Sequence, residues 1–219
     1  MRLANNSIQI SCDGGAATGK STGAKMISKK YNLKFLSSGL LYRYAALLIL
    51  KNKPRNKIKF LKKRFENLNY KKLYKINLHS PEISVYSAQI AKFNEIRKIL
   101  KKYQINFSKK NRNCCIEGRD ISTKIIPKSD LKFFFKCNLN IAAKRRYKEL
   151  KKKNAKISLL EVKRALKMRN ISDINRKNSP LLKHRDSIEI DTGKLNKQAM
   201  MKKLSKHVEK ALVNKKYGI

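Results

Sequence analysis

The stretch Gly14-Gly15-Ala16-Ala17-Thr18-Gly19-Lys20-Ser21 satisfies the pattern G-x-x-x-x-G-K-[ST] at every fixed position. No other part of the chain constrains its surroundings so tightly. Glycines let the backbone curl until successive N–H groups face one point, where phosphate oxygens bind, and a helix starting near Lys20 adds its positive end. Lys20 would then reach the β- and γ-phosphates of a triphosphate, and the Ser21 hydroxyl would face Mg²⁺. Such a loop needs a strand before it and a helix after it. Ser7 to Cys12 alternates in polarity and reads as the strand, and Lys20 to Tyr31 reads as the helix. Gly14, Gly15, Ala16, Ala17, Thr18, Gly19, Lys20, Ser21 and Thr22 are thus the candidate ATP phosphate site. Asp13, just ahead of them, reads equally as a strand-end cap or as an outer partner of the metal.

The rest of the chain alternates strand and helix. Leu33–Leu36 reads as a second strand, and Leu40–Leu50 as a helix after Ser37-Ser38-Gly39. Arg55 to Ser80 is an inserted lobe whose Lys, Tyr and Asn content gives no firm secondary structure. From Pro81 to about Lys102, apolar residues such as Ile90, Phe93, Ile96 and Leu100 recur at helical spacing. Asn113–Glu117 and Leu131–Phe135 read as strands. Helices are expected over Leu139–Lys153 and Ser158–Arg169, then a strand over Ser187–Ile190 and a closing helix over Lys197–Leu212. Strands alternating with helices imply βα units around a parallel sheet.

A formal net charge of +41 draws attention to nucleic acid. The basic residues run from Lys25 to Lys216 without gathering on one segment, and Lys, Asn and Ile are overused together. All three have A/T-rich codons, so genomic drift accounts for the charge without a polyanion partner. Tyr70 and Tyr74 amid lysines could stack bases, but packing of the inserted lobe explains them as well. Cys12, Cys114, Cys115 and Cys137 show no metal-ligand spacing, and three of them lie in strand-like apolar runs. No apolar run approaches the roughly 20 residues of a membrane span, and Met1 to Asn6 carries no apolar leader. The expected location is the cytoplasm. His79, His184 and His207 have no carboxylate or serine arrangement around them and read as incidental.

Several further blocks accompany the loop in order: Leu36-Ser37-Ser38-Gly39-Leu40-Leu41-Tyr42-Arg43, Glu117-Gly118-Arg119-Asp120, Arg145-Arg146-Tyr147-Lys148-Glu149-Leu150, the series Arg169, Asp173, Arg176, and Ile190-Asp191-Thr192. Together they cover nearly the whole chain and resemble the bacterial cytidylate kinases, P-loop nucleoside monophosphate kinases that use ATP with Mg²⁺ to phosphorylate CMP and dCMP. The resemblance implies an α/β fold, a five-stranded parallel sheet flanked by helices, acting as a monomer. Within a single domain it implies a core (about 1–50, 105–138 and 180–219), a small inserted NMP-binding lobe (about 51–104) and a helical lid (about 139–179). It also implies that Ser38 and Asp173 bind the sugar, that Arg43, Arg119 and Arg176 hold phosphate, and that Arg169 binds substrate near both. Arg97 and Asp120 match the cytosine readers, and Arg145 or Arg146 would close over the transferring phosphoryl group. The chain departs from the family pattern at Ala88 (Ser), Ser37 (Asp), Ser122 (Gly), Gly15 (Pro) and the thinned lid run Asn170-Ile171-Ser172.

Bland readings stand beside these roles. Arg145 and Arg146 could be a solvated helix face, and Arg119 could simply pair with Asp120. The rival functions are another small-molecule P-loop kinase, acting on UMP or AMP, and a non-enzymatic RNA-binding protein exploiting the charge.

Overall fold

The computed structural model describes residues 7–152 and 156–217. The Met1–Asn6 stretch and the expected helix end at Lys153 lie outside them. The chain divides into two compact units, one of residues Met1–Phe35 with Arg112–Ile219 and one of Leu36–Asn111.

The sheet is built from β1 (Gln9–Gly14), β2 (Lys34–Ser37), β3 (Cys114–Glu117), β4 (Leu131–Lys136) and β5 (Ile188–Asp191), in the order β2-β3-β1-β4-β5. In β1, Ile10 lies opposite Cys115 of β3 and Leu131 of β4, and Phe133 of β4 lies opposite Ile188 of β5, all parallel. The crossovers leave β1 in the middle, so the carboxyl ends of β1 and β3 open side by side, where ligands bind in sheets of this kind. Parallel strands are covered on both faces, which explains why even Glu117 at the end of β3 is buried.

One face is covered by α1 (Lys20–Lys30) and α8 (Lys197–Tyr217), which close a core of Ile10, Ile27, Phe133, Phe135, Leu204 and Val208. A second apolar cluster joins Ala16 of the phosphate loop to α6 (Leu139–Lys151) and α7 (Leu159–Asn175) through Ala142, Ala143, Val162 and Leu166. The helix α7 opens with a reciprocal capping box between Ser158 and Glu161. It runs past Arg169, where the sequence pattern ends, to Asn175.

The Leu36–Asn111 unit is helical: α2 (Ser38–Asn52), α3 (Lys57–Glu66), α4 (Pro81–Ile90) and α5 (Asn94–Lys110). Two sequence expectations are corrected here. The inserted lobe is ordered: Asn56 caps α3 and Asn69 caps a 3₁₀ turn over Tyr70–Tyr74, each side chain accepting a backbone N–H. The run from Pro81 to Lys102 is two helices, broken at 91–93 by short-range backbone bonds from Lys92 to Gln89 and from Phe93 to Ile90. Tyr70 packs edge-on against Phe107 with centroids 5.0 Å apart, whereas Tyr74 is exposed. Phe65, Tyr70, Tyr103 and Phe107 line a cleft of about 980 Å³ in this unit, and none of its lining residues is a candidate site residue. Among the described residues no helix is long and apolar enough to cross a membrane.

Gly14 ends β1 at φ 149°, and a side chain there would drive its first carbon into the Phe135 carbonyl of the neighbouring strand. Backbone cannot yield as a flexible side chain can. Gly14→Ala is expected to lower the unfolding free energy by roughly 2–4 kcal/mol in urea melts. Gly39→Ala, whose new carbon meets only the Ser37 hydroxyl at 3.7 Å, should be near neutral.

Candidate active site

The phosphate loop is held from several sides. Ala17 and Gly19 both have positive φ, 57° and 82°. Such reversals turn successive N–H groups inward to form an anion-binding nest. The Thr18 hydroxyl donates to the Gly15 carbonyl at 3.1 Å. Thr192, just after β5, donates its hydroxyl to the Thr18 carbonyl at 2.7 Å, and Arg145 donates to that hydroxyl at 3.0 Å and to the Thr192 carbonyl at 2.7 Å. On α7, Asn170 accepts a hydrogen bond from the Ala16 N–H at 3.0 Å.

Asp13 is buried near the end of β1. Its carboxylate accepts from the Ile121 and Ser122 N–H groups at 2.8 and 2.7 Å and from the Ser122 hydroxyl at 2.6 Å. It is the strand-end anchor of a tight π-type turn over Ile121–Ile125. Ser122, which departs from the family pattern, supplies two of the three donors, and its hydroxyl is the one a glycine would lack. Burial pushes the Asp13 carboxyl above its usual range, and the three hydrogen bonds pull against that.

Lys20 is buried, 3.4 Å from the Gly15 carbonyl and 3.6 Å from the Glu117 carboxylate. Burial and the neighbouring Arg119 push its pKa down to about 8, with Glu117 opposing and Arg169 adding to the fall. Lys20 thus feels Glu117 and Asp173 on one side of the balance and Arg119 and Arg169 on the other.

Beyond the loop, opposite charges alternate. Arg119 Nε donates to Asp173 at 2.8 Å, Arg176 lies 3.3 Å from Asp173, and Arg176 lies 3.9 Å from Asp120. The predicted alternative of an Arg119–Asp120 pair is not the arrangement found; each has a different partner. All four side chains are largely buried. Because α7 extends to Asn175, Arg169 and Asp173 lie one turn apart and face the same way. Arg146, by contrast, pairs with Glu149 on its own exposed helix surface at 3.1 Å. Ser21 and Thr22 open α1 directly after Lys20.

In the Leu36–Asn111 unit, Ser37 caps α2 through its hydroxyl, as the family's Asp can, and Ser38 is buried at the first helical position. Arg97 is buried, donates to the Ala91 carbonyl at 3.3 Å and lies 5.7 Å from the centre of the Tyr42 ring. Ser87, one residue before Ala88, is buried, and its hydroxyl donates to the Ser84 carbonyl at 2.9 Å. Of the histidines, His184 pairs with Asp186 and His207 packs against Phe133, but His79 Nδ1 meets Arg43 Nη1 at 2.7 Å. His79 and Asn170 are the residues that motif reasoning missed. A lone histidine outside any pattern gives no signal, and Asn170 was visible only as a gap in the lid series.

Burial alone would raise the Asp173 pKa, but Arg119, Arg169 and Arg176 outweigh it and hold the carboxyl below its usual range. A depressed carboxylate contributes stability above its unfolded pKa of about 3.9, and that contribution fades as pH falls through the folded value. Asp173→Asn should therefore cost about 1–3 kcal/mol at pH 7. The gap from the unchanged protein should close below about pH 4, as read by denaturant melts across pH.

A family model described as cytidylate kinase matches residues 10–210. The chain is 34% identical over 206 residues to the cytidylate kinase of Fervidobacterium nodosum, covering 90% of this chain and 94% of that one. It is 34% identical over 215 residues to that of Clostridium botulinum, covering 93% and 98%. Against the cytidylate kinase of Rickettsia africae the identity is 35% over 204 residues, covering 91% of each. Among solved structures, shikimate kinase from Bacteroides thetaiotaomicron shares the fold, with a TM-score of 0.53 at 10% identity over 92% of this chain and 98% of that one. With the phosphate loop, the Arg–Asp series and the parallel sheet all inside the matched span, the chain belongs to the cytidylate kinase family.

Proposed function

We propose that this protein transfers the γ-phosphoryl group of ATP to CMP and dCMP, yielding ADP and CDP or dCDP, as a cytoplasmic monomer. The observation that carries the reading is the buried series Arg119–Asp173–Arg176–Asp120, set in the same unit as a phosphate loop whose Lys20 feels Arg119 and Arg169. Residues Gly14 to Thr22 hold the ATP phosphates. Arg43, Arg119 and Arg176 hold the CMP phosphate, Ser38 and Asp173 the sugar, and Arg169 lies near both. A CMP phosphate oxygen attacks the γ-phosphorus, the bond from that phosphorus to the bridging oxygen breaks, and ADP leaves with the electron pair. The charge spread over the transferring group is met by Lys20, Arg119 and Arg176, with Arg145 or Arg146 closing over it. Positioning and exclusion of water, which would otherwise hydrolyse ATP, complete the catalysis.

Mg²⁺ fits this donor set. The ion takes oxygen ligands, keeps several waters and is usually held through one or two protein groups plus substrate phosphates. The half-buried Ser21 hydroxyl, second in α1, would hold it here. Once bound, the metal supplies neutralisation of the β- and γ-phosphate charge. The dispersed positive charge implies no dedicated nucleic-acid role, only weak, sequence-blind attraction that fades with salt.

Lys20→Ala should lose roughly 10²–10³-fold in turnover while keeping its fold by circular dichroism. Near-normal turnover in the folded variant would remove the phosphate loop from the reaction.

Base choice rests on Asp120 and Arg97. A carboxylate accepts from the exocyclic amine of cytosine and repels the carbonyl that uracil presents there, while arginine donates to the ring nitrogen and carbonyl. An unpaired buried polar group costs about 1–3 kcal/mol, which is roughly ten- to a hundredfold in preference. With Ala88 in place of serine, the CMP preference should sit at the low end of that range. Asp120→Asn, whose amide can turn either way, should narrow it further. ADP release measured against a panel of nucleoside monophosphates checks both statements. Equal use of CMP and UMP by the unchanged protein would leave the kinase reading standing and remove the cytosine reading.

A further inference from the structure

His79 stands outside every motif, yet its ring nitrogen Nδ1 lies 2.7 Å from Nη1 of Arg43. A guanidinium has donors only, so the imidazole nitrogen facing it must offer its lone pair. This fixes the neutral ring with its proton on Nε2. The backbone that carries the ring is fastened on both sides. Leu78 before it is fully buried, and the His79 N–H donates to the Asn77 side chain at 3.3 Å. Ser80 after it caps α4, accepting from the Ile83 N–H at 3.2 Å, with Pro81 opening the helix. Arg43 sits on α2, whose Leu41, Ala45 and Ala46 are buried around it. Both partners therefore ride on anchored elements of one unit, and the contact is not a chance meeting of two loose side chains.

We infer that His79 is a positioning residue for phosphoryl-acceptor binding: it orients the Arg43 guanidinium toward the CMP phosphate. The inference rests on the proposed role of Arg43. Neutral imidazole suits this task better than the carboxylate that more often holds a buried arginine. It takes one of the five N–H donors and sets the plane of the fork without bringing a negative charge of its own. A carboxylate in the same place would cancel the guanidinium charge and compete with the substrate.

The test is steady-state kinetics of the whole protein with CMP and ATP varied separately. His79→Phe keeps a ring of similar size without an acceptor and should raise KM for CMP roughly five- to tenfold, with kcat and KM for ATP within about twofold. His79→Asn places an amide oxygen near the position of Nδ1 and should restore KM to within about twofold. His79→Asp makes a stronger bond to Arg43 yet should bind CMP worse than His79→Asn, because it neutralises the guanidinium. The double variant Arg43→Ala/His79→Phe should be no worse than Arg43→Ala alone. Should His79→Phe fail to fold, the Asn and Asp pair still decides, since a purely structural histidine gives no reason for Asp to be the poorer. An unchanged KM in His79→Phe, additive losses in the double variant, or Asp equal to Asn would overturn the inference. If Arg43→Ala itself leaves KM for CMP unchanged, the role of Arg43 falls and this inference with it. If Arg43→Ala raises KM while His79→Phe does not, His79 alone loses its role.

Discussion

The carboxylate of Asp13 is the constraint on which the arrangement of the site depends. It sits at the end of β1, immediately before the phosphate loop, and grips the turn that follows Arg119 and Asp120 with three hydrogen bonds. Two loops leaving adjacent parallel strands are thereby locked in register at their mouths. The distance between the phosphate loop and the Arg119–Asp120 segment is then set by the spacing of β1 and β3, not by loop flexibility. A buried carboxylate with three donors is costly to disturb, because each donor lost leaves the buried group less well compensated.

From that anchor the electrostatics follow one pattern. With Arg169 counted, three arginines stand against two aspartates: Asp173 lies between Arg119 and Arg176 and feels Arg169, and Arg176 also approaches Asp120. Each acid holds its neighbours in place and lowers their mutual repulsion, yet the surplus stays positive. The same surplus acts on Lys20, whose charge is disfavoured by burial and by Arg119. An anion entering such a site would relieve repulsion that folding left in place.

Much of this was legible in the residues alone, and the exceptions have physical causes. The phosphate loop could be read because its geometry demands glycine and lysine at fixed places. Three of the five strands could be read as short, mostly apolar runs, as parallel strands covered on both faces are, and Ser7–Cys12 and Ser187–Ile190 by their alternating polarity. The inserted lobe was opaque because α3 buries only Leu61 and Phe65 beneath a surface of lysines, too few apolar positions to show a period. The break between α4 and α5 was hidden because the tight turn at 91–93 preserves near-helical spacing, although Phe93 itself is exposed. The last turn of α7 was missed because Asn170, Ser172, Asp173 and Asn175 are weak helix formers. Ion pairs to other segments, invisible in a local window, hold that turn. Motif matching named Arg119, Asp120, Asp173 and Arg176 but not how they pair, and it left open which of Arg145 and Arg146 would act, two residues the fold gives different partners.

Gly15 stands where the family carries proline, and the loop behaves differently for it. Proline stiffens a loop covalently, whatever surrounds it, by fixing one backbone angle and shrinking the unfolded ensemble. Here the stiffness comes from side chains outside the loop: Thr192 on the Thr18 carbonyl, Arg145 behind Thr192, and Asn170 on the Ala16 amide. The order of the phosphate cradle is therefore a tertiary property, and any local opening of the α6–α7 pair loosens the cradle with it. In hydrogen-exchange terms the loop amides would open together with that helical pair and separately from the sheet.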